Sequence, residues 1–339
     1  MNEESGGGLR QAMAGLRRAV STASVHFRRL WSVGIVRLHD AALFAALFGK
    51  RFIGTIRGKL REFSISAPGG YPYYRHPLPV RIMHWCNVVF LAILLMSGLD
   101  IFNAHPALYW GKQSYGGSVK LLEMRGGIND RGEASGVTRI RGHEFDTTGF
   151  LGASRDPAGE WAVRGFPAWL TIPDWQWLAM ARRWHLLFAW LLVANGLAFV
   201  VYAFGSRHLR HDLVPTGRDW RSIGRTVIDH LRFRHPRGEA SKRYNVLQKC
   251  AYLAVIFFLL PGIILMGFGM SPGLNALFPG WVDLFSGRQS VRTIHFVLAW
   301  TVVLFAIVHV FMVIVSGFWN NLRSMVTGYY RVESEADHE

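Results

Sequence analysis

The sequence has little cysteine: among its 339 residues only Cys86 and Cys250 carry a thiol. Two cysteines exclude a disulfide framework and a cysteine-rich metal cluster. No Cys-x-x-Cys-His run occurs, which excludes covalent attachment of a c-type haem. Residues 1–70 also lack the short apolar core and cleavage site of a signal peptide, so we expect this segment to be retained.

Acidic residues are also scarce, with 22 Asp and Glu against 38 Lys and Arg, which gives a formal net charge of +16. Such a charge would suit nucleic acid on a soluble fold, but here the basic residues lie between long apolar runs. We therefore expect no nucleic acid partner. No phosphate-binding loop, paired-carboxylate site or Ser-His-Asp set is visible, so a self-contained hydrolase or transferase is not expected.

Apolar residues, in contrast, are abundant: 50% of the chain is hydrophobic and 14% is aromatic. A helix needs about 20 such residues to cross the roughly 30 Å hydrocarbon core of a bilayer. Four segments meet this requirement, residues 82–102, 185–204, 246–268 and 294–318. The sequence therefore predicts an all-α integral membrane protein built as a four-transmembrane-helix bundle.

A fifth apolar segment, residues 31–48, carries Arg37, His39 and Asp40 near its middle, and central charges disfavour insertion. We interpret residues 1–74 as a basic amphipathic extension on the cytoplasmic side, which lies on the membrane surface. A flexible basic tail remains the alternative.

The distribution of Lys and Arg predicts the orientation, because cytoplasmic segments keep the positive excess. Residues 1–81 hold 13 basic and 4 acidic side chains, and residues 207–249 hold 11 and 4. Both segments, and the tail 329–339, are expected in the cytoplasm, with the helices in the bacterial inner membrane. The basic inner loop is expected to bind anionic membrane lipid.

The loop at residues 103–181 is balanced in charge, with 8 basic and 8 acidic residues, and is expected in the periplasm. Loops of this length usually have a function. We expect a cap or docking surface, with an interfacial wrap as the alternative. It is rich in tryptophan, at Trp110, Trp161, Trp169, Trp175 and Trp177.

Four histidines fall within or at the ends of the apolar segments: His84, His185, His295 and His309. Ionisable residues in a membrane are costly, so each is a candidate functional residue. On the fourth helix His295 and His309 are 309 − 295 = 14 residues apart, which is roughly 21 Å along the axis and nearly the same face. Depth then pairs His84 with His309 near the cytoplasm and His185 with His295 near the periplasm.

Two histidines at each level favour haem iron, which takes four other ligands from the porphyrin. Zinc or copper would need three or four protein ligands at each level, and the helices offer almost none. The sequence thus predicts two non-covalent b-type haems with these four histidines as axial ligands.

Other residues fit this arrangement. An arginine lies three positions before three of the histidines, at Arg81, Arg182 and Arg292, where it would reach a haem propionate. Arginines at helix ends also snorkel without any ligand, which is the alternative. Gly98 and Gly196 would admit a porphyrin edge, although ordinary helix packing explains them equally well.

The run from Arg75 through His76, Arg81 and His84 to Trp85 resembles the start of the bacterial cytochrome b561 and nickel-iron hydrogenase b-type cytochrome superfamily, which includes formate dehydrogenase gamma subunits. The segment from Arg292 through His295 to His309 resembles the family's double-ligand helix. The resemblance covers residues 75–328, which we interpret as the dihaem cytochrome domain.

Two shorter runs, residues 103–111 and 287–292, are similar to thiosulfate-reductase-type cytochrome b subunits that accompany periplasmic molybdopterin enzymes. This resemblance implies electron exchange with membrane quinone and a periplasmic redox partner that is molybdopterin-dependent. Two alternatives within and outside the redox class stay open: a partner-free superoxide oxidase, and a non-redox anchor or proton-coupled transporter.

Overall fold

The computed structural model describes residues 70–114, 119–232, 238–278 and 280–332. Its helices are α1 (Leu78–Asn103), α2 (Leu178–Gly205), α3 (Gly217–Arg221), α4 (Ile223–Leu231), α5 (Val246–Ala254), α6 (Leu260–Met270), α7 (Pro272–Leu277), α8 (Arg288–Val315) and α9 (Phe318–Thr327). Its strands are β1 (Tyr71–Tyr74), β2 (Ala107–Leu108), β3 (Leu122–Ile128), β4 (Ala134–Ile140), β5 (His143–Asp146), β6 (Gly152–Arg155), β7 (Trp161–Arg164) and β8 (Tyr329–Val332). The expected interfacial segment 31–48 and most of the tail 329–339 lie outside the described residues.

Four helical segments of the described chain are long and apolar enough to cross a membrane, as the sequence predicted. They are α1, α2, the segment Gly238–Met270 and α8. Few of their residues are buried within the protein, and this exposure suits helices whose outer faces contact lipid. The prediction of four transmembrane helices is confirmed.

Two of these segments differ in detail from the sequence prediction. The third is interrupted by a π-helical turn, Val255–Leu259, between α5 and α6. Pro261 lies in the first turn of α6, directly after this π-helical turn. Proline has no backbone N–H, so it cannot donate the hydrogen bond to the preceding turn that a continuous α-helix requires. The fourth, predicted to reach residue 318, ends at Val315, because Gly317 adopts a left-handed conformation (φ 103°) before α9 begins.

The all-α expectation does not hold for the loop between α1 and α2. Strands β2, β3, β4 and β5 form an antiparallel sheet in that order, and β6 pairs with β7. Glycines allow the two sheets to approach closely, since a Cβ on Gly126 or Gly136 would collide with the backbone of β6 or the residue before it. The glycine-rich composition of the loop therefore reflects sheet packing.

The loop is anchored on the end of α1. A buried cluster joins them, formed by Leu99, Phe102, Leu108, Met124 and Phe166. Asn103 clamps the backbone of Phe166 from both sides: its Oδ1 accepts from the Phe166 N–H (2.7 Å) and its Nδ2 donates to the Phe166 carbonyl (3.3 Å). The loop therefore has a fixed position above the helix that carries His84.

At the opposite end of α1, the strand before it pairs with the strand after α9. Tyr71 lies opposite Val332 and Tyr74 opposite Tyr329 in this two-stranded sheet. The backbone N–H of Arg75 donates to the carbonyl of Gly328 (2.8 Å). The two limits of the predicted 75–328 domain are thus joined directly.

Between α2 and α5, a partly buried ion pair fixes the basic connection. Nζ of Lys249 lies 2.9 Å from Oδ2 of Asp219, and only 9% of the lysine side chain is exposed. Asp219 also caps the first turn of α3 together with Thr216. This ion pair attaches α3 to the start of the third transmembrane segment.

Candidate functional site

The four histidines form two facing pairs. The ring centres of His84 and His309 are 6.3 Å apart, and those of His185 and His295 are 6.2 Å apart. Two imidazoles that ligate one iron from opposite sides need roughly 6 Å between ring centres, given metal–nitrogen bonds of about 2.0 Å. Each pair is therefore spaced to hold one metal ion between its rings.

Three helices supply these rings. Helix α8 provides His295 and His309, whereas His84 lies on α1 and His185 on α2. The 14-residue separation on α8 corresponds to about 21 Å of helix, so the two pairs lie at different levels of the bundle. We name them the 84/309 pair and the 185/295 pair.

The hydrogen bond of His295 determines which ring nitrogen is free. Its Nδ1 lies 2.9 Å from the backbone carbonyl of Ile263 on α6. A carbonyl oxygen only accepts, so Nδ1 carries the proton and Nε2 keeps its lone pair. That tautomer is the one a metal ligand requires at Nε2.

His185 is held in the same way by a serine. Oγ of Ser97 donates to the carbonyl of Ile93 (2.7 Å) and lies 3.1 Å from Nδ1 of His185. The hydroxyl has one proton, which the carbonyl takes, so the oxygen accepts from the imidazole N–H. The Nε2 lone pair of His185 is therefore also available. Ser97 was not predicted from the sequence, because a serine that supports a histidine cannot be told there from one that bonds only to its own helix.

The 84/309 pair has fewer polar contacts. Nδ1 of His84 is buried and has no hydrogen-bond partner in the described part of the chain. The His84 ring meets Trp85 edge-on with 5.4 Å between ring centres, and the His309 ring stacks on Phe305 at 5.9 Å. Aromatic packing therefore orients these two rings.

Two glycines leave room beside the 185/295 pair. A Cβ on Gly98 would lie 3.3 Å from Cε1 of His185, and one on Gly267 would lie 3.6 Å from Cε1 of His295. Gly98 was predicted from the sequence, and Gly267 was missed because small residues are common in transmembrane helices. Gly196, also predicted, has open space at its Cβ position and no described neighbour within 4 Å.

The three predicted arginines have different surroundings. Arg81 donates through Nη1 to the carbonyl of Val326 (2.5 Å), and Arg292 donates to the carbonyl of Ala107 while its guanidinium lies over the ring of Tyr109. Arg182 is exposed, with no hydrogen bond or ion pair described. Arg81 and Arg292 therefore contact other parts of the protein, whereas Arg182 is exposed.

Positive charge gathers where α9 packs on the start of α1. The Nε atoms of Arg75 and Arg81 are buried there without an acceptor in the described residues. Burial, together with the positive charge of Arg75, lowers the pKa of His76 to about 3. A bound carboxylate would supply the missing acceptors, and a haem held by the 84/309 pair would bring two propionates.

These observations fit haem. Each level offers two opposed imidazoles, and no group of three or more His, Cys, Asp or Glu in the described residues could hold a bare metal ion. When bound, a haem supplies reversible one-electron oxidation and reduction of its iron. The four histidines would supply the nitrogen ligands, and the contacts with Ser97 and the Ile263 carbonyl fix the tautomers of His185 and His295.

Comparisons with known proteins agree with this geometry. The family model described as prokaryotic cytochrome b561 matches residues 75–328. A putative protein-methionine-sulfoxide reductase subunit, YedZ1, from Azospira oryzae is 26% identical over 241 residues, which cover 71% of this chain and 90% of the relative. No solved structure matches the chain. Because the family model covers most of the chain, including all four histidines, the protein belongs to the prokaryotic cytochrome b561 family, the membrane electron-transfer subunits that bind b-type haem.

Proposed function

We propose that this protein carries two b-type haems and passes electrons between membrane quinone and a periplasmic redox enzyme. His84 and His309 would ligate an inner haem, and His185 and His295 an outer haem. The observation that carries the proposal is the presence of two opposed imidazole pairs, 6.3 and 6.2 Å between ring centres, that share one helix.

The proposed direction across the membrane follows from charge. The excess of Lys and Arg in residues 1–81 and 207–249 favours a cytoplasmic location for both termini. The loop between α1 and α2 then lies in the periplasm, above the outer haem. This orientation assigns residues 1–74 and 329–339 to the cytoplasmic side of the inner membrane and residues 75–328 to the haem-binding domain.

Two observations support a periplasmic partner. The relative YedZ1 is named as a subunit of a protein-methionine-sulfoxide reductase, which implies a separate reductase subunit for that protein. The described part of the loop forms strands and is attached to α1, which favours a docking surface over an interfacial wrap, and it exposes Trp161 and Trp169. We propose that it docks a reductase of the molybdopterin-dependent class.

Oxidation of one quinol to quinone releases two electrons and two protons. His84 and His309 would hold the haem that takes up these electrons singly, and His185 and His295 would hold the haem from which the partner draws them. The chain contributes the ligands and a low-polarity path between them, since the described parts of α1, α2 and α8 place few charges between the two levels.

The test uses the purified full-length protein with a short-chain quinol under anaerobic conditions. In the wild type both haems should become reduced. The variant His309→Ala should lose the inner haem and its reduction by quinol, whereas His295→Ala should keep an inner haem that quinol still reduces. Reduction of the outer haem at the wild-type rate in His309→Ala would contradict the proposed order.

A further inference from the structure

Two amide side chains meet between α1 and α2, at the level of the 84/309 pair. Nδ2 of Asn195 donates to the backbone carbonyl of Met83 (2.9 Å) and to Oδ1 of Asn87 (2.7 Å). Met83 is adjacent to His84, and Asn87 lies one turn further along the same helix. The two amides are therefore next to the proposed inner haem, within the membrane-spanning part of both helices.

The hydrogen bonds fix the orientation of both amides. The Asn195 atom that faces the Met83 carbonyl must be the nitrogen, because a carbonyl oxygen only accepts. That nitrogen uses both of its hydrogens, so the Asn87 atom it faces must be the oxygen. Oδ1 of Asn195 and the NH₂ group of Asn87 remain, and neither has a hydrogen-bond partner among the described residues.

Helix association explains only part of this arrangement. One amide that bridges to the neighbouring helix is a common way to hold transmembrane helices together. It does not explain why the NH₂ group of Asn87 and Oδ1 of Asn195 have no partner among the described residues. Unpaired polar groups are costly in a hydrocarbon environment. Asn87 and Asn195 are both only partly buried in the described chain, so the seam between α1 and α2 is not closed to a ligand from the membrane.

The unpaired groups are one donor group, on Asn87, and one acceptor, on Asn195, and the hydrogen bond between the two side chains holds both at the same seam. A quinone carbonyl accepts from an N–H, and a quinol hydroxyl both donates and accepts. Toward the middle of the membrane, Phe90 on α1 meets Phe188 on α2 edge-to-face, with 5.7 Å between ring centres. Phe90 is one turn from Asn87, so an aromatic surface borders the amides where a planar ring would lie.

We propose that Asn87 and Asn195 bind the headgroup of membrane quinone, with the Asn87 amide N–H donating to a quinone oxygen and Asn195 Oδ1 accepting from the quinol hydroxyl. This inference rests on the proposed function and assigns the quinone site to the seam between α1 and α2 beside His84. Met83 acts as a positioning residue, since its carbonyl fixes the Asn195 amide.

The test compares Asn87→Leu, Asn195→Leu and the wild type, each purified with its haems. Binding of a short-chain ubiquinone and a short-chain menaquinone is measured by quenching of tryptophan fluorescence. The KM and kcat for reduction by the matching quinols are measured separately. Loss of one hydrogen bond should weaken binding and raise KM about tenfold in each variant, with a smaller change in kcat.

Thr301→Val is the matched control. It also removes a polar group from a transmembrane helix, but the Thr301 hydroxyl donates to Val297 of its own helix (2.9 Å), so quinone binding should not change. If Asn195→Leu loses haem through poor packing, Asn87→Ser decides the question, because it keeps the Asn195 bond to Met83 and should still weaken binding.

The outcomes separate this inference from the proposed function. If wild-type haems are reduced by quinol while Asn87→Leu and Asn87→Ser bind quinone as tightly as the wild type, the assignment of the site is wrong and quinone exchange stands. If the wild type neither binds quinone nor is reduced by quinol, the quinone half of the proposed function fails, and this site fails with it.

Discussion

Replacing Ser97 with alanine tests whether the hydroxyl holds His185 as a metal ligand. Ser97 is fully buried, and its oxygen accepts from Nδ1 of His185 at 3.1 Å. Alanine removes this acceptor and leaves the imidazole only its backbone hydrogen bond with Leu94, so one hydrogen bond is lost, at a cost of about 0.5–1.5 kcal/mol. Loss of such a supporting contact lowers metal affinity about 10- to 100-fold.

We therefore expect Ser97→Ala to release the outer haem faster by about one order of magnitude while the inner haem is unaffected. The assay follows transfer of haem to excess apomyoglobin from the detergent-purified protein. His295→Ala identifies the outer-haem phase, because it should lack that phase. Unchanged release of both haems from Ser97→Ala would refute the role of the hydroxyl.

Further predictions concern three other places in the chain. Gly98→Val should reduce the haem content from two to one per chain, since even its Cβ would lie 3.3 Å from the His185 ring; a pyridine haemochrome count measures this. Lys249→Met should lower the free energy of unfolding by about 1 kcal/mol, because it removes the partner of the partly exposed Asp219; thermal denaturation in detergent checks it. Burial lowers the pKa of His76 from 6.5 to about 3. As the pH falls below 6.5, the unfolded chain therefore binds a proton at this position before the folded protein does, and the free energy of unfolding should fall by up to about 1.4 kcal/mol for each pH unit. A His76→Gln variant should show a flatter dependence of the melting temperature on pH, and an equal slope would count against the buried neutral histidine.

Long apolar runs made the membrane architecture predictable. Length and hydrophobicity identify a transmembrane helix without knowledge of its neighbours. The helix ends were less accurate: α2 begins at Leu178, seven residues before the predicted start at His185, because the helix continues beyond its apolar segment through Arg182. Hydropathy reports the apolar part of a helix and not its hydrogen-bonded length.

The strands of the loop could not be predicted in the same way. Their pairing is non-local and their segments are short, and β5 is exposed along its whole length and so lacks an alternating pattern. The length of the loop indicated a function but not its fold.

The arrangement of the histidines followed from position along the helices, since depth and face are set by residue number. Their supporting contacts did not. Ser97 and the carbonyl of Ile263 become visible only when α1 and α6 are placed against the rings. Arg182 had the expected spacing from His185, but its side chain is exposed. Spacing along the chain alone does not determine which side of a helix end faces the protein.

The central claim, that the two histidine pairs hold two haems, is tested most directly by a dithionite-reduced minus oxidised visible spectrum with a pyridine haemochrome count. The wild type should contain two haems b per chain, and His295→Ala should contain one. A wild type without haem, after expression with adequate haem supply, or a His295→Ala variant that retains both, would contradict the account.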